Sequence, residues 1–260
     1  MKTLTIVKIG GNVIDKPEAL QRFLTDFALI SGAKILVHGG GILAAQLLKK
    51  LDIPVQMHEG RRITDSETLE ICAMVYAGWI NKTIVAQLQQ THCNAIGLSG
   101  ADANILTAIR RPPLPFDYGH VGDVSPSGVS AAALAEFLQN DVTPVICAIT
   151  HDGQGGLLNT NADTIASTVA VALSKMYDTR LIYCFEKQGV LATPNDDASV
   201  MPLITPAEFE SLKAAGIISK GMIPKLENAF AACIAGVTQV RIKHADNLLS
   251  SKGTVVQCEK

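Results

Sequence analysis

What most constrains this 260-residue chain is a hydrophobic period that switches back and forth from end to end, with glycine-rich or polar turns at the switches. Residues 3–9 (TLTIVKI) are a β-branched run that stops at Gly10-Gly11. Residues 17–30 then carry apolar side chains at helical spacing, behind a proline suited to a first turn. Residues 33–37 (AKILV) predict a second buried strand, broken by Gly39-Gly40-Gly41, and 42–51 resumes the helical pattern. Thr64 and Glu67 have capping-box spacing and predict a long helix towards residue 90, followed by a short strand at 94–98. Residues 105–111 and 118–124 are β-like pieces around a proline loop at 112–115, a hairpin or small excursion on the main scaffold. Beyond it the spacing predicts a helix at 127–138, a strand at 143–148, a turn at 151–156, a helix at 162–174 and a strand at 180–185. A second capping box (Thr205, Glu208) opens a helix to about 215, then come a helix at 222–235 and strands at 239–242 and 254–257. Alternation of this kind predicts an α/β fold, a mostly parallel central sheet with helices on both faces. In such folds ligands gather where the strands end at their carboxyl ends.

Composition narrows the function. Lys plus Arg number 22 against 24 acidic residues, so no polyanion-binding surface is indicated and nucleic acid is not an expected partner. No apolar run is long enough to span a membrane, and the opening MKTLTIVKIGG is interrupted by Lys8 too early for a signal-peptide core, so a cytoplasmic chain is expected. The six cysteines (72, 93, 147, 184, 233, 258) are scattered and form no CxxC pair, which reads as reduced core thiols. No His, Cys, Asp or Glu set has metal spacing, and no metal site is expected.

Three glycine turns (10–11, 39–41, and Gly100 after Ser99) follow predicted strands, and backbone N–H groups at such turns suit phosphate. Neither a GxxxxGK[ST] loop nor a GxGxxG fingerprint is present, so the phosphate chemistry uses another design. Lys8 interrupts an apolar strand just before the first glycine turn, where a buried ammonium calls for an anion. Asn159-Thr160-Asn161-Ala162-Asp163 clusters polar groups where a helix begins, with Asn161 suited to the N-cap. Lys220 and Lys225 flank another helix start, against the helix dipole. Arg61 and Arg62 suit a carboxylate clamp.

In order and spacing, K-I-G-G (8–11), V-H-G-G-G (37–41), G-R-R-I-T (60–64), L-N-T-N-A-D (158–163) and G-M-I-P-K (221–225) resemble the amino acid kinase superfamily, and within it the N-acetylglutamate kinases. The resemblance covers essentially the whole chain. It implies an open αβα sandwich with an N-lobe (about 1–170) for the acylated amino acid and a C-lobe (about 171–260) for ATP with Mg²⁺. Carried onto this sequence, Lys8 and Lys225 would be catalytic lysines on the phosphoryl groups, and Asp163 would hold both. Gly10, Gly11, Gly40 and Gly41 would face phosphate and acceptor, while Arg62 and Asn159 would grip the α-carboxylate. The acceptor would be the side-chain carboxylate of N-acetylglutamate. An N-succinylglutamate is the variant in which Arg61 or Arg110 meets a further carboxylate. The chain starts at its first strand, without the N-terminal helix of arginine-inhibited hexamers, which implies a homodimer without arginine feedback.

Rival readings are a sister enzyme (glutamate 5-kinase, carbamate kinase or uridylate kinase) and a non-catalytic ligand-binding regulator. The segment Phe185-Glu186-Lys187-Gln188-Gly189 departs from the superfamily's usual Ser/Thr-Asp-Val-x-Gly beside the nucleotide, and keeps only its glycine.

Overall fold

The computed structural model describes residues 1–193, 196–218 and 222–257. Its first half contains β1 (Thr3–Ile9), α1 (Gly11–Ile14), α2 (Pro17–Ala28), β2 (Ala33–His38), α3 (Gly41–Lys50), β3 (Met57–His58), β4 (Arg61–Arg62) and α4 (Ser66–Ala73). Then follow α5 (Asn81–Gln90), β5 (Ala95–Leu98), β6 (Leu106–Arg110), β7 (Val121–Val129) and α6 (Ala131–Gln139). The rest is β8 (Thr143–Cys147), β9 (Ile149–His151), β10 (Leu157–Thr160), α7 (Ala162–Leu173), β11 (Asp178–Phe185), β12 (Leu203–Ile204), α8 (Pro206–Ala214), α9 (Ile223–Ile234), β13 (Gln239–His244) and β14 (Thr254–Val256).

Eight strands form one sheet in the order β12-β14-β13-β11-β1-β2-β8-β5. Every pair is parallel except β13–β14. Two groups of mutually packed helices cover it, α6 with α7 and α9, and α2 with α5, so the α/β class expected from the alternation is the one found. Parallel strands covered this way lose the in–out alternation: in β1 all residues after Thr3 are buried, and Lys8 is only 8% exposed.

The excursion is larger than the hairpin expected. β6, β7, β9 and β10 close into a small barrel. β7 runs on to Val129, so the next helix starts at Ala131 rather than near 127, and the stretch 157–160, left outside the predicted elements, is β10. Strands β3 and β4 also went unpredicted, because two-residue strands carry no periodicity. The capping box expected at Thr64 is replaced by Asp65, whose carboxylate accepts from the Thr68 N–H at 2.8 Å; the second box, Thr205 with Glu208, forms as written. Between α4 and α5 the helix continues through a π-helical segment, Met74–Ile80, which keeps residues 66–90 in one rod. Cys72, Cys93, Cys147 and Cys184 are buried free thiols. Cys233 is disulfide-bonded, correcting its reading as a reduced thiol, since spacing along the chain does not show what folding brings together. Cys258 lies outside the described residues.

Candidate active site

Three side chains from distant parts of the chain meet above the carboxyl end of β1. Lys8 leaves β1 and places Nζ 2.8 Å from Oδ1 of Asp163, while Lys225, in the first turn of α9, places Nζ 2.8 Å from Oδ2. Asp163 stands in the first turn of α7, where the helix dipole favours a carboxylate, and the Asn161 side chain caps that helix by accepting from the N–H groups of Asp163 and Thr164. Burial alone would raise the Asp163 pKa, but the two lysines outweigh it and hold the carboxyl down at about 2. Burial also pulls the Lys8 ammonium below the usual lysine range, against the attraction of Asp163. One carboxylate thus orders two cations. Each retains N–H donors for an anion between them. Of the lysine-bearing segment before α9, Lys220 and Gly221 lie outside the described residues.

Beside this triad, at the carboxyl ends of β2 and β8, a cleft of about 230 Å³ is lined by Gly39, Gly40, Gly41, Arg61, Arg62 and Asn159, among others. Ala162 and Thr164, the chain neighbours of Asp163, also line it. A second cavity, lined by Gly11, Asn12, Gly41 and Arg62 among others, shares Gly41, Met57 and Arg62 with the first, so the two glycine turns border neighbouring cavities. Arg62 donates from Nη2 to the Gly41 carbonyl at 2.8 Å, and its Nη1 is buried without a partner among the described residues. Asn159 donates to the Thr64 hydroxyl at 3.1 Å, which leaves its amide oxygen for other use. Gly40 is required by close approach: a Cβ there would stand 2.3 Å from Ile80 Cδ1 and 2.7 Å from the Tyr76 ring, both in the π segment.

The glycines are not equivalent. The N–H of Gly10 donates to the Cys184 carbonyl at 3.0 Å, extending the β1–β11 ladder by one residue, so it is not free for phosphate. Gly11 and Gly41 head α1 and α3, where no preceding turn supplies an acceptor for their N–H groups. Arg61 lines the cleft, but Arg110 does not: its guanidinium donates to the Gly119 carbonyl and is half exposed. Arg111 takes that place, paired with Asp123 and lying over the Tyr118 ring at 5.3 Å. Tyr76, Arg111 and Asp123 were missed from the sequence. A π segment and a small barrel bring them in, and neither has a periodic signature. The altered segment after β11 is tied to the loop after β13, where Asn247 donates to the Gln188 side chain at 2.8 Å.

Among the described residues no group of three or more His, Cys, Asp or Glu could hold a metal ion, and no helix is long and apolar enough to cross a membrane. Apart from the Asp163 and Asp123 carboxylates, each already paired with a cation, the site is rich in cations and N–H donors, which suit phosphate and carboxylate directly.

Paired lysines around one carboxylate, beside an arginine-bearing glycine cleft at the strand ends of an α/β fold, suit a protein that binds phosphate. The chain is a member of the amino acid kinase family, whose sequence profile matches residues 3–244. It is 51% identical over 254 residues to an acetylglutamate kinase of Phocaeicola vulgatus, covering 98% of both chains. It is 54% identical over 250 residues to the acetylglutamate kinase of Cytophaga hutchinsonii, covering 96% of this chain and 94% of that one. A Streptococcus mutans protein of known structure superposes with a TM-score of 0.79 at 28% identity over 98% of each chain. A carbamate kinase from Giardia lamblia shares the fold (TM-score 0.67, 14% identity, 99% of each chain).

Proposed function

We propose that this protein transfers the γ-phosphoryl group of ATP to the side-chain carboxylate of N-acetyl-L-glutamate, giving an acyl phosphate and ADP. The observation that carries the reading is the pair of 2.8 Å contacts by which Asp163 holds Lys8 and Lys225 beside the cleft. The full-length similarity to acetylglutamate kinases supports it.

Phosphoryl transfer asks for alignment and charge neutralisation more than for covalent help. The acceptor carboxylate is ionised at neutral pH, so one of its oxygens attacks the γ-phosphorus without surrendering a proton. The new O–P bond forms as the bond to the β-phosphate oxygen breaks, and that electron pair leaves on ADP. Lys8 neutralises the transferring group from the acceptor side, and Lys225 neutralises the nucleotide phosphates from the other. Asp163 keeps both ammoniums in register. The N–H groups of Gly11, Gly40 and Gly41 meet the phosphoryl oxygens; Gly10 shapes the turn without donating. Arg62 and the Asn159 amide fix the α-amino-acid end of the acceptor. Mg²⁺ would be held by ATP phosphate oxygens and water, consistent with a site built of N–H donors.

The division of labour between a substrate-binding half (about 1–170) and a nucleotide-binding half (about 171–260) is part of this reading. So are a cytoplasmic location and a homodimer, the latter supported by exposed Met74 and Trp79 next to Leu43 and Leu47. The test is hydroxylamine trapping of the acyl phosphate together with ADP release, over N-acetylglutamate, glutamate, carbamate and UMP. Turnover confined to the N-acylated acceptor is expected. Faster turnover of another acceptor selects a sister kinase, and none at all selects a binding protein.

A specific feature favours a second reading of the acyl group. Arg61 lines the cleft with no ion pair among the described residues, and Arg111 faces it as well. The Arg111 charge is already met by Asp123, so Arg61 is the cation that suits the further carboxylate of N-succinylglutamate. Comparing kcat/KM for the two acyl groups decides the matter, and a large acetyl preference retires the succinyl reading.

A further inference from the structure

We infer that His38 is a positioning residue for the transfer: held by Asn81 with its proton on Nδ1, it fixes the Gly39–Gly40 peptide so that the Gly40 N–H is presented to the cleft. This rests on the phosphoryl-transfer reading above.

The orientation of the Asn81 amide is determined by its neighbours. Asn81 and His38 are both fully buried. The Asn81 Nδ2 lies 2.9 Å from the Val145 carbonyl, a group that only accepts, so the nitrogen and not the oxygen faces it. The Lys82 ammonium, a pure donor, sits 3.2 Å from Asn81 Oδ1 and agrees. The second hydrogen of the same nitrogen points to His38 Nε2 at 3.0 Å. Nε2 therefore accepts, and the imidazole proton resides on Nδ1, the rule being that one ring nitrogen's partner sets the state of the other. Nδ1 lies 2.8 Å from the Gly39 carbonyl and donates to it.

That bond orients a peptide plane. In a trans peptide the C=O and the following N–H point in opposite directions. With the Gly39 carbonyl drawn inward to a fully buried ring, the Gly40 N–H faces outward, and Gly39 and Gly40 both line the cleft. The turn's other carbonyls are also engaged, Gly40 O by the Ala44 N–H and Gly41 O by Arg62 at the edge of the cleft. All three acceptors are thus removed and the donors left. Two glycines make room for the device. Gly97 leaves space for Asn81, whose Oδ1 would stand 1.9 Å from a Cβ there, and Gly40 leaves space for Tyr76 and Ile80.

The test compares two isosteres that pull in opposite directions. In His38→Asn the side-chain amide nitrogen takes the place of Nδ1 and keeps the donor to Gly39. In His38→Gln the nitrogen reaches towards the Nε2 position and the donor is lost. We expect His38→Gln to lower kcat about 10- to 100-fold with both KM values within about threefold, less than the roughly 10²–10³-fold of removing a transition-state donor because the Gly40 N–H is misaimed and not deleted, and His38→Asn to recover most of it. A packing role reverses the order, because Asn leaves the larger hole; Asn equal to or worse than Gln overturns the inference. Long-range ¹H–¹⁵N NMR of the wild-type protein gives an arm independent of turnover and of either variant's folding. A protonated Nδ1 on His38 is expected, and a protonated Nε2 overturns it. If wild-type protein forms no acyl phosphate while the NMR shows Nδ1–H, the function has failed and the tautomer has not.

Discussion

Lys225 Nζ and Asp163 Oδ2 lie 2.8 Å apart although 62 positions of chain separate the two residues. Asp163 meets Lys8 at the same distance through its other oxygen, so one carboxylate joins β1, α7 and α9. Removing either lysine from an otherwise intact site should therefore act on the rate. Lys8→Ala and Lys225→Ala are expected to lose about 10²–10³-fold in kcat with retained circular dichroism. Steady-state ADP release measures it, and near-normal turnover in either variant refutes the assignment.

Asp163→Ala should differ in kind. It leaves the buried Lys8 ammonium without its counter-ion, and breaking a buried pair from one side costs about 3–5 kcal/mol. Urea denaturation should show that loss in addition to the loss of activity, whereas each lysine variant leaves Asp163 its other lysine and should lose less stability.

Arg62 has a buried Nη1 with no partner among the described residues, at the edge of the cleft. Arg62→Ala is expected to raise KM for the acylglutamate about 10- to 100-fold, the scale of a charged hydrogen bond, and to leave KM for ATP nearly unchanged. Arg62→Lys should recover little, because an ammonium does not reproduce the guanidinium fork.

Gly40→Ala places a methyl group 2.3 Å from Ile80 Cδ1 and 2.7 Å from the Tyr76 ring. Relief requires moving the π segment or the turn. A destabilisation of about 1–3 kcal/mol is expected together with a fall in kcat. Thermal unfolding and initial rates measure the two, and an unchanged variant shows that the turn is more yielding than its contacts indicate.

Burial first, and the nearby Lys82 ammonium as a smaller influence, push the His38 pKa down to about 4 against the hydrogen bond to Gly39. Cys147, the other titratable group beside it, pairs with it across β2 and β8, and its thiol is pushed up to about 12 by burial. The unfolded chain binds a proton at His38 near pH 6.5 and the native state does not until about pH 4, so stability falls as pH drops through that window. The expected loss is about 3 kcal/mol. Asp163 acts lower: its depressed pKa contributes stability above pH 3.8 that is lost as pH falls towards 2. Denaturation midpoints between pH 7 and 4 should show the first slope in wild-type protein and its absence in His38→Asn.

The amino-acid sequence by itself determined the class of fold and the chemical inventory of the site. Buried parallel strands need uninterrupted apolar runs, helices over them need the 3.6 period, and glycine is what lets a chain turn sharply between the two; all three are local and visible in residues 3–51. Lys8 stood out for the same local reason, a charge inside an apolar run. Tertiary structure alone decided which of these groups meet. That one carboxylate bridges Lys8 and Lys225 depends on α7 and α9 packing over the same sheet. That Arg111 and not Arg110 lines the cleft depends on how β6 joins a closed barrel, and that the Gly10 N–H is engaged while Gly11 heads a helix depends on where the β1–β11 ladder ends. The orientation of the Gly39 peptide needs Asn81 from the far end of a π segment. Periodicity reports how a residue sits in its own element, whereas a catalytic geometry is a relation between elements and is fixed by long-range packing.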